Sequence, residues 1–172
     1  IYDATTNKIT FPGCGGGRTI VSKDISALND ADYVITYCTN NKGWSNNWWS
    51  TYVFFAGEGE TGRYIRMCDM GLYYCDNTGE EAIQTGIISG STGILNGAKL
   101  TISIYVQRED DGTDTYYILS SSDKQTEVFV VENQTRMNAN FYVHTADHGA
   151  SWNPVLENVA IYEVGSTTAY TV

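Results

Sequence analysis

Proline, histidine and basic side chains are scarce in this 172-residue chain, which has two Pro, two His and 10 Lys plus Arg. Two histidines and four cysteines with no C-x-x-C pair fall short of the usual ligand spacing of a zinc site. No apolar run approaches the ~20 residues of a membrane-spanning helix. Ten cations against 20 carboxylates give a formal charge of −10, a field that repels phosphate backbones and anionic membranes. Nucleic-acid and membrane partners are therefore not expected; neutral ligands or cations fit better, or the acidity only keeps a secreted protein soluble. The Gly-rich P-G-C-G-G-G turn is no phosphate loop, because neither a Lys-Ser/Thr ending nor a helix pattern follows it.

What the chain has in quantity is glycine, tyrosine and β-branched residues, with 17 Gly and 13 Tyr. That mixture favours strands and turns over helices. The length suits one domain over residues 1–172, with 165–172 either a last edge strand or the start of a linker. The chain opens on Ile1 without a start Met and is expected to be a piece of a longer, secreted extracellular protein. Cys14, Cys38, Cys68 and Cys75 form two disulfides in an oxidising compartment or stay as buried thiols. Both readings stand, and Cys68 and Cys75 are near enough in sequence to close a short loop.

The clearest strand is K-L-T-I-S-I-Y-V-Q, in which Leu100, Ile102, Ile104 and Val106 alternate with Thr101, Ser103 and Tyr105. E-D-D-G-T-D after it reads as a hairpin turn, as does S-S-D-K. About ten such segments at near-regular spacing predict an all-β fold, an antiparallel β-sandwich of jelly-roll type. Segments 33–38, 48–56 and 63–69 read as consecutive antiparallel neighbours. A single helical turn or a loop is expected within 22–32.

Aromatic residues crowd one stretch, G-W-S-N-N-W-W-S-T-Y-V-F-F, over Gly43–Phe55. Strand parity assigns Trp49, Val53 and Phe55 to the core and puts Trp48, Ser50 and Tyr52 on the opposite face. The next strand then sends Ile65 and Met67 inward and leaves Tyr64 and Arg66 beside Tyr52. Sugar rings bind to such surfaces, stacking their C–H faces on flat aromatics while polar neighbours bond the hydroxyls. Trp44, Trp152, Tyr73 and Tyr74 are expected in loops at the ends of this face. A bulge between Asn46 and Tyr52 would invert the parity and bring Trp49 to the ligand instead.

This stretch, followed by R-Y-I-R-M-C-D-M-G-L-Y-Y, resembles a segment of bacterial jelly-roll modules attached to polysaccharide-degrading enzymes. In those modules an Asn-Asn-Trp entry to one strand precedes a strand carrying an aromatic, an Arg and an Asp before another aromatic. The matching positions are Asn46, Asn47, Trp48, Tyr64, Arg66, Asp69 and Tyr73. The hairpin K-L-T-I-S-I-Y-V-Q-R-E-D-D-G-T-D-T-Y-Y-I-L and the closing N-V-A-I-Y-E-V are similar to theirs as well. The resemblance implies a non-catalytic, concanavalin-like or jelly-roll carbohydrate-binding module without a cofactor. It would be monomeric, joined to a catalytic or scaffold domain, and would hold a neutral plant cell-wall polysaccharide of the β-glucan, xyloglucan or xylan class. The four cysteines and the Gly-rich start depart from that pattern.

Two readings of other kinds stand beside this one, a small sandwich glycosidase or polysaccharide lyase and a cell-surface adhesion domain. Hydrolysis needs two carboxyls about 5 to 9.5 Å apart across the bond. Glu58 and Glu60 lie in G-E-G-E-T-G, an exposed turn by its glycines. Tyr142 and His144, alternating on one strand, are the pair a lyase would use to take a proton. No catalytic residue is assigned. Asp110, Asp111 and Asp114, with Glu109, offer oxygen ligands for a structural Ca²⁺, although Asp-Gly is ordinary hairpin chemistry.

Overall fold

The computed structural model describes residues 2–3, 5–11, 19–40, 50–68, 71–89, 99–123, 125–146, 155–166 and 169–170. Its strands are β1 (Tyr2–Asp3), β2 (Lys8–Thr10), β3 (Thr19–Lys23), β4 (Tyr33–Asn40), β5 (Ser50–Glu58), β6 (Thr61–Cys68) and β7 (Gly71–Asp76). They continue with β8 (Ile83–Ser89), β9 (Lys99–Arg108), β10 (Thr113–Ser121), β11 (Thr126–Thr135), β12 (Ala139–Ala146), β13 (Val155–Glu163) and β14 (Ala169–Tyr170). One 3-10 turn, Ser26–Leu28, falls where a single helical turn or a loop was expected and buries Leu28. No helix among the described residues is long and apolar enough to cross a membrane.

Two antiparallel sheets face each other. One has eight strands in the order β1-β2-β13-β4-β9-β10-β11, with β14 also on β13; the other is β3-β12-β5-β6-β7-β8. This is the predicted antiparallel β-sandwich, with more strands than the ten or so read from spacing, because the two-residue pieces β1 and β14 leave no periodic signal. One pairing differs from expectation. β4 joins the eight-stranded sheet between β13 and β9, so it is not the neighbour of β5. Alternation marks a strand but not its partner, and residues 41–49 carry the chain from one sheet to the other. The meander β5-β6-β7-β8 does follow chain order.

The core between the sheets is built by the alternation seen in sequence. Leu100, Ile102, Ile104 and Val106 of β9 meet Val53 and Phe55 of β5, and Ile65 and Met67 of β6, all in one buried cluster. Val53, Phe55, Ile65 and Met67 thus face inward as parity required. Opposite Phe54 and Ala56 the β5–β6 register slips, so that Phe55 and Ala56 both turn inward. Such a bulge adds one residue to one strand and bends the pair.

Past the bulge, Gly57 and Gly62 face each other at φ of 127° and 142°. A Cβ on Gly57 would lie 2.1 Å from the Thr61 carbonyl oxygen, and one on Gly62 would lie 2.0 Å from that of Ala56. Both obstacles are backbone and cannot swing aside. Gly57→Ala is therefore expected to cost about 3 kcal/mol or more. A urea midpoint within experimental error of wild type would refute this.

Polar groups also enter the interior. Arg63 donates from Nε to Asp76 Oδ2 at 3.1 Å and from Nη1 to the Tyr116 hydroxyl at 2.6 Å and the Thr135 carbonyl at 2.7 Å. Nearby, Asp114 is 0% exposed and accepts from Arg108 Nη1 at 2.6 Å and Arg136 Nε at 3.2 Å. The Arg108 guanidinium lies 5.2 Å from the centre of the buried Tyr33 ring and also donates to the Met137 carbonyl at 2.8 Å. Buried charges persist only when paired and hydrogen-bonded in this way.

The calcium candidates are dispersed by these contacts. Asp114 is committed to the two guanidiniums. Asp111 accepts from the Thr113 hydroxyl at 2.6 Å and its amide at 2.9 Å, and those bonds hold its carboxyl below the usual range. Asp110 is exposed in the same turn. Glu109 accepts from the Thr115 hydroxyl at 2.9 Å. Among the described residues no group of three or more His, Cys, Asp or Glu is placed to hold a metal ion.

Candidate functional site

The outer face of the six-stranded sheet is organised by register into two rows that cross every strand. In the first, Ile20, His144, Tyr52, Arg66, Tyr73 and Gly86 stand side by side from β3 to β8. The second row is Ser22, Tyr142, Phe54, Tyr64, Cys75 and Gln84. Side chains two apart on each strand share a face, so the pleat alone brings these residues together.

Tyr52 is at the centre. Its ring stacks on His144 at 4.4 Å between centroids and 15° between planes, and the Arg66 guanidinium lies 5.8 Å from its centroid. Tyr64 stands 5.7 Å away, tilted by 47°. Phe54, buried beneath, packs on Tyr64 at 4.5 Å and edge-on to Tyr142 at 6.0 Å. Arg66 is fixed by donating to Ser50 Oγ at 3.2 Å and to Gln84 Oε1 at 2.9 Å. Because His144 covers one face of Tyr52, this ring offers its edge and hydroxyl. Tyr73 differs, since it leans over Gly86, where an added Cβ would lie 3.8 Å from the ring. Tyr52, Tyr64, Arg66, Tyr73 and Tyr142 are each partly exposed.

The predicted grouping of Tyr52, Tyr64 and Arg66 on one face is what the structure has. Tyr73 and Tyr74 depart from expectation, for they lie within strand β7 and not in a loop. Alternation then divides them. Tyr73 joins the outer face, while Tyr74 is 4% exposed and packs between the sheets against Phe55 and Tyr116. Tyr74 is therefore no part of this surface. Trp44, Asn46, Asn47, Trp48, Trp49, Asp69 and Trp152 lie outside the described residues.

Two residues weighed in the sequence only as catalytic candidates also reach this face. His144 is only 6% exposed, and the Glu60 carboxylate comes within 3.9 Å of its Nε2. Glu60 is the exposed turn carboxylate expected from its glycines, and from the tip of the β5–β6 hairpin it also comes near His144. Period-two parity put Tyr142 and His144 on one face but carried no information on what β12 would neighbour.

Cys75 lies under the second row as a buried free thiol, and Cys38 and Cys68 are likewise buried and unbridged. Burial pushes the Cys75 thiol up to about 11 from 9.0, against the opposing pull of the Tyr64 hydrogen bond and the Arg66 charge. The folded chain therefore keeps a proton that the unfolded chain loses near pH 9. Its stabilising contribution is complete below pH 9 and disappears as pH rises toward 11. Burial raises the pKa of Tyr116 as well, to about 12, and acts in the same direction. Urea midpoints are expected to fall steadily from pH 8.5 to 10.5, and less steeply in Cys75→Ala. A rising or level midpoint in the wild type would refute this.

No family model matches the chain, and no curated protein matches it in sequence. Solved structures do. An alginate lyase from Aplysia kurodai superposes with a TM-score of 0.61 at 9% identity, covering 92% of this chain and 82% of the lyase. A legume lectin-like domain from Entamoeba histolytica gives 0.60 at 15% identity, over 96% and 87% of the two chains. The exoplasmic/lumenal domain of VIP36, solved in a Ca²⁺/Man3GlcNAc-bound form, gives 0.62 at 7% identity, over 91% and 78%. The likeness is one of fold. The same β-sandwich is found in a lyase and in lectin-like domains, so it serves enzymes and non-enzymes alike.

Proposed function

We propose that this chain binds carbohydrate on the outer face of its six-stranded sheet and does not cleave it. The observation that carries this is the pair of registered rows, which set Tyr52, Tyr64, Tyr73 and Tyr142 beside Arg66 and Gln84 on one open surface. Partly exposed tyrosines supply rigid apolar area at low entropic cost, and the guanidinium and amide supply directional bonds to hydroxyls. An open sheet face suits internal segments of an extended polymer better than chain ends. A formal charge of −10 favours a neutral one, of the plant β-glucan, xyloglucan or xylan class. The protein's task is then to hold an attached enzyme on its substrate outside the cell. Lectin-like domains among its fold relatives support the reading. Affinity electrophoresis through a panel of soluble polysaccharides tests it. Retardation by at least one neutral glucan is expected, and free migration through all of them would sink the proposal.

A second reading has a specific observation in its favour. Tyr142 and His144 are 6.2 Å apart between ring centroids, and Glu60 is 3.9 Å from the imidazole. A phenol and an imidazole so placed can take a proton α to a uronate carboxyl and return it to the departing oxygen. Arg66 in the same row is suited to neutralise that carboxyl. Incubation with alginate and with glucuronan decides between the two readings, because β-elimination leaves an unsaturated product that absorbs in the ultraviolet. No rise in absorbance is expected.

A further inference from the structure

The opposite surface of the sandwich carries a row of its own. Across the eight-stranded sheet, register aligns Tyr162 of β13, Val34 of β4, Tyr105 of β9, Tyr117 of β10 and Val130 of β11 on the outer face. The adjacent row is Ala160, Thr36, Ser103, Leu119 and Val128. None of these ten residues is buried. Val128 is 63% exposed, Val130 43% and Leu119 39%. None of the ten carries a charge at neutral pH.

Within the row, bulk alternates with a gap. Tyr105 and Tyr117 stack on each other at 5.5 Å and 21°, so each keeps only its far ring face for something else. On the side of Tyr105 away from Tyr117, the row continues through Val34 to Tyr162. Val34 is shorter than either phenol, so the register implies a slot with Val34 as its floor and the two tyrosines as its walls. Neighbouring strands are about 4.8 Å apart, so walls separated by one strand stand roughly 9.6 Å apart. Contact on both sides at about 3.5–4.0 Å takes up roughly 7–8 Å and leaves room for one thin ring. The Tyr105 wall is pinned by its hydroxyl, which donates to Asp32 Oδ2 at 3.1 Å. In the adjacent row, the hydroxyls of Thr36 on β4 and Ser103 on β9 lie 2.9 Å apart.

We propose that this slot is a second carbohydrate site, which takes one pyranose unit of a neutral polysaccharide between Tyr162 and Tyr105. It goes beyond the face proposed above, because it shares no residue or sheet with it. Charge selects the occupant. Ten uncharged positions offer an ionic partner nothing to pair with, and a second copy would bring −10 toward −10. A sugar ring needs two apolar walls and a few hydroxyl or carboxylate partners at the rim, which are Thr36, Ser103 and Asp32. Two sites on opposite sheets let one module bridge two polymer chains and gain avidity without either site being tight.

The experiment is a two-dimensional amide NMR titration of the whole chain with cellohexaose, xylohexaose and laminarihexaose in turn. At least one is expected to move the amides of Val34, Tyr105 and Tyr162 in a saturable way. Tyr162→Ala, a change at a partly exposed position, is expected to weaken that binding at least tenfold and leave shifts around Tyr52 and Tyr73 unaltered. Tyr52→Ala is expected to do the reverse, so each site reports on itself. Shifts confined to the Tyr52 face overturn the slot and spare the first reading. Slot shifts that survive Tyr162→Ala overturn it too. Shifts there that follow protein concentration without sugar assign the surface to a second copy and overturn it equally.

Discussion

Asp114→Ala is expected to lower stability by about 3–5 kcal/mol, because it leaves two guanidiniums in the interior with their shared carboxylate gone. Asp114 is fully buried and holds Arg108, whose side chain is 5% exposed, and Arg136, which is 32% exposed. Arg108 cannot reach water without giving up its place over Tyr33. For a chain of this size each kcal/mol moves the melting temperature by about 2–4 °C, so a drop of about 6–20 °C is expected by calorimetry. Arg136→Ala should cost much less, since a third of that side chain already meets solvent. If the carboxylate stabilises chiefly by answering Arg108, then joint replacement of Asp114 and Arg108 by apolar residues of similar volume recovers most of the loss. A loss below about 1 kcal/mol in Asp114→Ala would contradict the account.

The second large effect concerns binding. Tyr52→Ala is expected to weaken carbohydrate binding by about 30-fold, the weight of a central aromatic worth roughly 2 kcal/mol. Tyr52 touches His144, Tyr64 and Arg66, so its loss removes a contact and also frees the guanidinium and the imidazole to move. Tyr52→Phe separates these contributions. If the ring and its packing carry the affinity, the phenylalanine form keeps most of it; if the hydroxyl does, both variants fall together. Urea titration of each variant shows whether the fold has survived. Binding by Tyr52→Ala equal to wild type would remove this face from the proposal.

Much of this surface could be read from parity, and what could not was non-local. Leu100 to Val106 announced a strand and its buried face, and β5 and β6 sorted Val53 and Ile65 from Tyr52 and Arg66 correctly. Those assignments need only the two-residue repeat of a pleat. Tyr73 and Tyr74 failed because two adjacent tyrosines near a glycine look like a loop, and the pairing that makes them a strand comes from β6 and β8. His144 under Tyr52 depends on β12 coming to rest beside β5, across more than 80 intervening residues. Glu60 was legible as a turn carboxylate, but its approach to His144 was not, since that depends on β12 lying beside β5. Asp114 looked like a turn ligand because its neighbours are turn residues, while its burial depends on arginines six positions before and 22 after it.

The two buried ion clusters also affect how the protein behaves in salt. Arg63 and Arg108 are drawn inward and answered by Asp76 and Asp114, while Arg136 reaches Asp114 from a partly exposed position. These two buried pairs cancel, so the formal −10 stays on the rest of the chain as an acidic envelope. At low ionic strength that envelope turns away uronate-bearing polymers before they reach Arg66, whereas an uncharged glucan does not feel it. Electrolyte screens the envelope and leaves stacking and hydrogen bonding nearly untouched. Ionic strength is then a sorting variable: adhesion to a neutral glycan stays level as salt is added, and any hold on an anionic one first grows.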